Sequence, residues 1–242
     1  MKRVIIFWLI LSVLIPAVVF AGVTRKVIER SSPLSSGEST LLGNPRTIVY
    51  TDSQGKEIAR ETCDETGKVI KTNGKIPDGI VKEYFESGAP LAEYNYKGGK
   101  LEGTSKGYYE NGTLRGEWNY KNGKLDGKMK YYYGNGNLNY ETNYKDDKKN
   151  GVSKHYDETG KLNYEFNFKD DKYDGVTKSY YESGELSGEY NYKDGKREGV
   201  SKAYYKSGKL KSVETYENGQ KINKHSHDDK GLTSGIDHSG GE

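Results

Sequence analysis

Glycine recurs at a fixed interval of 24 residues through most of this chain. The six positions are Gly79, Gly103, Gly127, Gly151, Gly175 and Gly199. Blocks cut at these glycines align from 79 to 222 without insertion or deletion, and they share the pattern G-V-S-K-x-Y-Y-E-S-G-x-L-x-x-E-Y-N-Y-K-D-G-K-x-E. A constant period of this length is typical of a repeat architecture, in which each unit packs on its neighbours. We therefore expect an extended array rather than one compact core.

Each block contains two turn signals, which divide it into two strands. One follows the two tyrosines, as in Asn111-Gly112, and the other follows the second strand, as in Asn122-Gly123. Such dipeptides favour the positive φ angles of hairpin turns. The segments between them are rich in Tyr and Val and have no apolar stripe of helical period. The sequence therefore predicts an all-β fold, an elongated antiparallel meander of tandem β-hairpins.

Side chains alternate in character along each predicted strand. In the segment 113–121 one face is mainly apolar and the other is polar or charged. The drier set is Leu114, Gly116, Trp118 and Tyr120, and the polar set is Arg115, Glu117, Asn119 and Lys121. This period of two is that of a strand with one drier face.

A two-residue turn at Asn111-Gly112 predicts the register of the hairpin. It places Tyr109, on the drier face, opposite Leu114, and it places Lys106 opposite Glu117. The same spacing gives the pairs Lys82–Glu93, Lys130–Glu141, Lys154–Glu165 and Lys178–Glu189, and in the last block it pairs Lys202 with Val213. Such pairs are worth about 0.2–1 kcal/mol each. Their main effect is to select the register, because a one-residue slip inverts the two faces.

Aliphatic residues are too few for a large compact core. Outside the first 21 residues, Leu, Ile, Val and Phe number 32 of 221, whereas the chain has 22 tyrosines. The same part carries 36 basic and 35 acidic residues. This near-neutral balance argues against a nucleic-acid-binding protein, which carries a basic surplus. Tyrosine must supply most of the buried apolar area, since it suits a half-buried pleated surface.

The first 21 residues have the pattern of an export signal. A basic Met1-Lys2-Arg3 segment precedes an apolar run at 4–21, and small residues precede Gly22. We expect a helical signal peptide at 1–21 that is cleaved after Ala21. This predicts export to the periplasm, the outer surface or the medium. The alternative is a membrane anchor formed by residues 4–21, because about 18 apolar residues can span a bilayer.

Three further segments flank the repeats. Residues 22–45 are rich in Ser, Gly and Thr and are predicted to be a flexible linker. Residues 46–78 contain two degenerate hairpin repeats, and residues 79–222 form the six regular ones. Residues 223–242 have no pattern and are predicted to be a loose, disordered tail.

The first tyrosine of each Tyr-Tyr pair should point to the polar face, because adjacent strand residues point to opposite faces. One such tyrosine per block gives a row with a spacing of about 10 Å. The predicted partner-binding residues are Tyr84, Tyr108, Tyr132, Tyr156, Tyr180 and Tyr204. Half-exposed tyrosine among polar groups is typical of protein-contact surfaces. The repeated asparagines on the same face could form a polar ladder or contact a ligand, and the structural role is favoured; they are Asn95, Asn119, Asn143, Asn167 and Asn191.

Histidine concentrates near the C-terminus, where it forms a candidate metal site. The set comprises His225, His227, Asp228 and His238, and imidazole and carboxylate groups are ligands for zinc and similar ions. The alternative is a solvated tail. The repeated glutamates do not predict a catalytic pair, since such a pair needs two carboxyls in different environments. No cofactor is expected.

The blocks resemble MORN-type variant repeats, in the form found in bacterial YwqK-family antitoxins. The resemblance lies in Tyr108-Tyr109-Glu-Asn-Gly112-x-Leu114 and then Tyr120-Lys-Asn-Gly123-Lys-Leu-Asp-Gly127, recurring six times. It implies an extended sheet of hairpins, a binding or scaffolding role and no enzymatic activity. The antitoxin name implies neutralisation of a toxin by contact. The export signal departs from a cytosolic antitoxin and favours a surface, periplasmic or immunity-type role.

Together these features predict an exported, non-enzymatic repeat protein that binds a protein partner along its tyrosine-rich sheet. It would act as an antitoxin-like or immunity-like protein or as an envelope scaffold. One alternative is a cell-wall or carbohydrate-binding module, and another is a membrane-associated protein that contacts lipid. Nucleic acid is not an expected partner.

Overall fold

The computed structural model describes residues 22–29, 46–64, 66, 68–230 and 233–237. None of these residues lies in a helix, so the prediction of an all-β chain of tandem hairpins is confirmed. The strands are β1 (Val23–Glu29), β2 (Arg46–Thr51), β3 (Glu57–Cys63), β4 (Val69–Gly74), β5 (Gly79–Tyr84), β6 (Pro90–Lys97), β7 (Lys100–Leu101), β8 (Gly103–Tyr108), β9 (Leu114–Lys121), β10 (Lys124–Tyr132), β11 (Leu138–Lys145), β12 (Lys148–Lys149), β13 (Gly151–Tyr156), β14 (Leu162–Lys169), β15 (Lys172–Tyr173), β16 (Gly175–Tyr180), β17 (Leu186–Lys193), β18 (Lys196–Arg197), β19 (Gly199–Tyr204), β20 (Leu210–Glu217), β21 (Gln220–His227) and β22 (Thr233–Asp237). The predicted signal helix at 1–21 lies outside the described residues.

All 22 strands of the described residues belong to one sheet. From β5 onwards the hairpins follow one another in chain order and pair antiparallel. Before β5 the order is β4, β3, β2, β1, and β1 runs parallel to β5. The sheet is therefore mixed, and the predicted antiparallel meander is wrong at this junction.

Strand β1 lies inside the segment that was predicted to be a linker. It makes six residue pairs with β2, from Thr24 opposite Thr51 to Glu29 opposite Arg46. Arg25 lies 4.0 Å from the centre of the Tyr94 ring, and its Nε is 3.7 Å from a carboxylate oxygen of Glu83. The linker prediction is therefore wrong for Val23–Glu29, because strands distant in sequence supply the partners that its polar composition did not suggest.

Strands β1 to β4 and residues 75–78 form an N-terminal cap with its own core. Tyr50 is fully buried, and Ile76 packs against it together with Ala59, Val81 and Tyr96. Residues 75–78 connect β4 to β5, which lie four strand positions apart in the sheet. In a flat sheet this separation is about 19 Å, whereas the five Cα steps from Gly74 to Gly79 span at most about 18 Å. The sheet must therefore curl here, and the curl is what places Ile76 over the core.

Two kinds of turn alternate along the array. At Asn122-Gly123 both φ angles are positive, at 52° and 84°, as a two-residue type I′ turn requires. The other turn is longer, because the Tyr109 N–H bonds to the Thr113 carbonyl and the Gly112 N–H to the Tyr109 carbonyl. This shifts the register so that Tyr108, not Tyr109, lies opposite Leu114. The predicted Tyr109–Leu114 pair, and with it the strand-face position of Tyr109, is therefore wrong.

The periodic glycine and the asparagine row belong to one β-bulge that recurs at the junctions between repeats. The backbone bond that marks it joins Glu102, Asn150, Asp174 and Glu198 to the carbonyls of Asn95, Asn143, Asn167 and Asn191. Between the first and second repeats the strand that carries Glu102 has two more residues than its partner, and the Glu102 N–H bonds to the Asn95 carbonyl at 2.8 Å. The following Gly103 has a φ of 78° and lies against the Asn95 side chain. Between the third and fourth repeats the Asn143 amide donates to the Val152 carbonyl at 3.0 Å. A structural role for the asparagines thus has a physical reason, namely that their amides close the ladder beside the bulge.

Lysine and glutamate alternate along one row of the sheet, and the face that carries this row is called the polar face. The row runs through Lys82, Glu93, Lys106, Glu117, Lys130, Glu141, Lys154, Glu165, Lys178, Glu189 and Lys202. The predicted register is thereby confirmed, including Lys202 opposite Val213. Among the described residues only Lys82–Glu93 and Lys154–Glu165 close as predicted ion pairs, both at 3.1 Å. Glu141 instead pairs diagonally with Lys128.

The C-terminal segment continues the sheet. β21 pairs with β20, and β22 pairs with β21. The prediction of a disordered tail at 223–242 is therefore wrong for 223–227 and 233–237, where backbone pairing overrides a weak side-chain pattern. Within the described residues there is no helix long and apolar enough to cross a membrane, and the predicted anchor at 4–21 lies outside them.

Candidate binding surface

The face opposite the polar face carries a layer of aromatic rings and is called the aromatic face. Its ring-to-ring contacts run through Trp118, Tyr131, Tyr140, His155, Tyr164, Phe166, Phe168, Tyr173 and Tyr192. Tyr164 is 47% exposed and Tyr173 is 36% exposed. An exposed, contiguous apolar patch on a sheet is a typical contact site.

Glycines next to Trp118 and Tyr190 leave the space in which these two rings pack against the sheet. A Cβ at Gly107 or Gly116 would come within 2.8–3.0 Å of the Trp118 ring, and one at Gly188 within 2.3 Å of the Tyr190 hydroxyl. Trp118 and Tyr190 therefore lie flat over glycines. The third repeat uses the reverse arrangement, since Thr142 takes the ring position there and Tyr131 and Tyr140 replace the glycines. The fourth repeat has His155 and Tyr164 at the glycine positions and keeps a ring, Phe166.

Those large side chains form a ridge, defined as Tyr131, Tyr140, His155 and Tyr164, which are successive neighbours across four strands. Tyr131 and Tyr140 stack with centres 4.9 Å apart, and Tyr140 and His155 stack at 5.3 Å. The planes differ by only 22° and 21°. The rings thus pack face to face with one another, and burial raises the pKa of Tyr140 to about 12, with Tyr131 as the second cause.

Small hydroxyl residues lie beneath the rings as a row of buried polar groups. They are Ser105, Thr142, Ser153, Thr177 and Ser201. Thr142 and Ser153 hydrogen-bond to each other. Short side chains at these positions leave room for the rings of neighbouring strands to pack against the sheet, so that apolar area is buried within one layer of the described residues.

The predicted partner-binding tyrosines lie on the polar face and are half-buried. Four of them donate a hydrogen bond to a glutamate of the preceding repeat: Tyr108 to Glu93, Tyr132 to Glu117, Tyr180 to Glu165 and Tyr204 to Glu189, at 3.0–3.3 Å. Burial, followed by the Glu165 hydrogen bond, raises the pKa of Tyr180 to about 12. These hydroxyls therefore link one repeat to the next, and binding by this row stays a prediction.

The second tyrosine of each pair has a role that the sequence did not indicate. Tyr109, Tyr133 and Tyr181 donate to the backbone carbonyls of Tyr132, Tyr156 and Tyr204 at 2.7–2.8 Å. Each bond joins the turn of one repeat to the strand of the next. This explains why the motif contains two tyrosines in succession.

The predicted metal ligands do not come together in the described part of the chain. His225 and His227 lie on β21, and the His225 ring nitrogen is 3.3 Å from the Asn223 amide nitrogen. No group of three or more His, Cys, Asp or Glu residues that could hold a metal ion occurs among the described residues. His238 lies outside them, so the four-residue site stays a prediction.

His155 makes the ridge sensitive to pH. Burial, followed by the charge of Lys149, lowers the pKa of His155 below its usual 6.5. The folded state therefore binds fewer protons than the unfolded state just below pH 6.5, and stability falls as the pH drops through this range. We expect the melting temperature to decrease between pH 7 and pH 5.5. The decrease should be smaller in His155→Tyr, which copies the neighbouring ridge residues.

Carboxylates provide the control for this pH effect. Burial opposes ionisation of Glu165, but the Lys154 and Tyr180 hydrogen bonds leave its pKa below 4.5. Its stabilising effect is therefore lost only at lower pH, in both proteins alike. Identical melting curves for the two proteins between pH 7 and pH 5.5 would contradict the assignment to His155.

The ridge is absent from the sequence predictions because the pattern that the repeats share does not contain it. Its signal is a departure from that pattern. Position 116 is Gly and position 188 is Gly, whereas the equivalent residues in the third and fourth repeats are Tyr140 and Tyr164. In a repetitive sheet, residues that depart from the repeat make one region of the surface different from the others, so a ligand can bind there specifically.

Comparison with known proteins agrees with this architecture. A family model described as MORN repeat variant matches residues 77–97, 101–122, 125–146, 149–170, 173–194 and 197–218. A search of curated proteins found no match. The six matches cover more than half of the chain and coincide with its six hairpin units, so the chain belongs to the MORN repeat variant family.

Proposed function

We propose that this protein is an exported, non-enzymatic binding protein that captures a protein partner on its aromatic face, in an immunity-type or envelope role. The observation that carries the proposal is the ridge, a set of partly exposed rings on a sheet face that no second layer of the described residues covers. Aromatic residues are enriched at protein contacts and dominate their binding energy. The repeats on either side provide a stiff support.

Ring orientation favours a protein over a carbohydrate. A sugar binds on the flat face of an exposed ring. In the ridge the flat faces of Tyr131, Tyr140 and His155 are occupied by one another. Ring edges and tyrosine hydroxyls are what such a stack offers to solvent, and these suit the mixed apolar and polar surface of a protein.

The export part of the proposal is supported by the N-terminal sequence. The basic start, the apolar run and the small residues before Gly22 are the pattern of a secretory signal. Cleavage after Ala21 would leave a single residue before β1. An exported product would place the sheet where a surface or immunity-type partner is met.

Capture by two matched triple variants tests the proposal. The ridge variant is Tyr131→Ser/Tyr140→Ser/Tyr164→Ser, and the control on the polar face is Tyr132→Ser/Tyr156→Ser/Tyr180→Ser. The full chain is produced with its leader, the N-terminus of the purified protein is sequenced, and cross-linked partners are quantified by mass spectrometry. We expect an N-terminus at Gly22 and at least a tenfold loss of the specific partner in the ridge variant only, because each central aromatic anchor costs about 1–2 kcal/mol or more when removed.

The other possible results of this experiment distinguish the alternative binding surfaces and ligands. Loss only in the polar-face variant would replace the ridge by the predicted tyrosine row. Retention on insoluble wall material without a protein partner would support the carbohydrate alternative. Circular dichroism and the melting temperature must show that both variants are folded.

A further inference from the structure

The aromatic face has a charge that differs from that of the chain as a whole. Along its strand positions from Gly103 to Ala203, no side chain is a carboxylate, and the basic residues are Lys149, Arg197 and Arg115. Arg115 is the extra residue of a bulge in β9, and its guanidinium lies on this face, 3.5 Å from the position of a Cβ at Gly107 beside the Trp118 ring. The polar face over the same repeats alternates lysine with glutamate. The positive charge is therefore a property of one face.

Arg197 and Lys149 differ in whether a carboxylate of the described residues already pairs with them. Arg197 donates to the Tyr216 hydroxyl at 2.8 Å and lies 3.8 Å from a carboxylate oxygen of Glu214. Lys149 makes no ion pair with any described residue, and its ammonium lies 5.1 Å from the centre of the Phe168 ring. It is only partly exposed and stands beside the ridge, where it lowers the pKa of His155. The Asp171 carboxylate accepts a hydrogen bond from the Lys149 backbone N–H at 2.8 Å but forms no ion pair with the ammonium. A partly desolvated ammonium that no carboxylate pairs with attracts an anion.

We propose that the segment docking on the aromatic face is an acidic protein segment with apolar side chains, and that one of its carboxylates binds Lys149. The apolar side chains lie along the ridge, and the carboxylate completes the ion pair that Lys149 lacks among the described residues. This proposal rests on the proposed function, since it names the chemistry of the partner at the same surface. Charge complementarity of this kind raises the association rate and excludes basic competitors.

A protein segment fits this face better than an anionic membrane does. Recognition of acidic lipid by electrostatics uses clusters of about 4–8 basic residues. Between Gly103 and Ala203 the aromatic face has three basic residues, Arg115, Lys149 and the already paired Arg197. Three basic residues, one of them already paired, select carboxylates at defined places rather than a charged surface.

Trp118 supplies a direct reporter for the test. The chain has two tryptophans, so the full chain with Trp8→Phe retains Trp118, whose ring centre is 5.3 Å from that of Tyr131. Its fluorescence is titrated with three capped octapeptides: alternating Glu and Leu, alternating Lys and Leu, and alternating Glu and Ser. We expect the Glu-Leu peptide to bind at least tenfold more tightly than either of the others.

Adjacent lysines on opposite faces give a matched pair of variants. Lys149 pairs with Tyr144 and points to the aromatic face, whereas Lys148 pairs with Lys145 and points to the polar face. Lys149→Glu should weaken Glu-Leu binding about tenfold, as expected for an interfacial charge pair, and Lys149→Gln by less. Lys148→Glu changes the net charge equally and should alter binding less than twofold.

Three results would overturn this proposal. They are equal binding of the Lys-Leu and Glu-Leu peptides, equal effects of Lys148→Glu and Lys149→Glu, and Lys149-dependent quenching of Trp118 by anionic phosphatidylglycerol vesicles without peptide binding. If the ridge variant loses its cross-linked partner while Lys149→Glu keeps it, this inference fails and the proposed function stands. If the ridge variant keeps the partner, the proposed function itself fails.

Discussion

Replacing Tyr50 by alanine is expected to lower the free energy of unfolding by about 3–5 kcal/mol, the range for removing a buried aromatic side chain. Tyr50 is fully buried at the centre of the N-terminal cap. Its hydroxyl donates to Glu61 at 2.7 Å and lies 3.0 Å from the Tyr96 hydroxyl. The variant would lose the ring contacts and leave a buried carboxylate without its hydroxyl partner. Urea unfolding followed by circular dichroism measures the change.

Tyr50→Phe separates the two contributions. It keeps the ring and removes the hydroxyl, so the loss should be about 1–3 kcal/mol, the cost of an unsatisfied buried polar group. Glu61 is 8% exposed and cannot turn to water without opening the cap. Equal losses for Tyr50→Phe and Tyr50→Ala would show that the ring contacts contribute little, contrary to the packing described for the cap.

Gly74→Ala is expected to cost about 2–5 kcal/mol, since it combines backbone strain with overpacking. Gly74 ends β4, and its φ is 79°. A Cβ there would lie 2.2 Å from the Ile58 carbonyl oxygen and 2.8 Å from the Ala59 Cα. Both are backbone atoms of the paired strand, which cannot move aside as a flexible side chain would. The methyl group must therefore push β4 away from β3 next to the loop that carries Ile76.

Gly55→Ala is the matched control for this prediction. Gly55 also has a φ of 79° and lies in the same cap, but a Cβ added there would have no atom within 4 Å. Its substitution carries the cost of the positive φ alone, about 1 kcal/mol or somewhat more. The difference between the two variants measures the clash, and equal melting temperatures would contradict the close approach of β4 to β3.

The regular part of the fold was readable from local chemistry. Asn122-Gly123 predicts a turn with two positive φ angles, and Lys106 opposite Glu117 follows from the alternation of polar and apolar residues. The longer turn was misread by one residue, because Tyr109 and Thr113 bond to each other outside the strand ladder. The sequence pattern showed that Gly103 and Asn95 recur together without showing that they build one bulge.

The N-terminal cap was beyond this kind of reasoning. Nothing local in Val23–Glu29 indicates insertion between β2 and β5, since its partners lie more than 20 residues away for most of its length. The buried site of Arg25 depends on Glu83 and Tyr94. A polar segment with partners this distant has the same composition whether it pairs in a sheet or remains solvated.

The candidate site, like the fold, was predictable from the sequence only in part. Sequence alone determined that two faces exist, that tyrosines recur on the polar one and that the chain is a repetitive sheet rather than a compact core. Only the tertiary structure decided that Tyr131, Tyr140, His155 and Tyr164 meet in one ridge, because these residues come from four strands and become neighbours through pairing. Alternation along a strand is a local consequence of backbone geometry, and turn types follow from a few φ angles. Which ring stacks on which depends on distant strands and on whether a glycine or a threonine lies beneath, and those contacts exist only in the folded sheet.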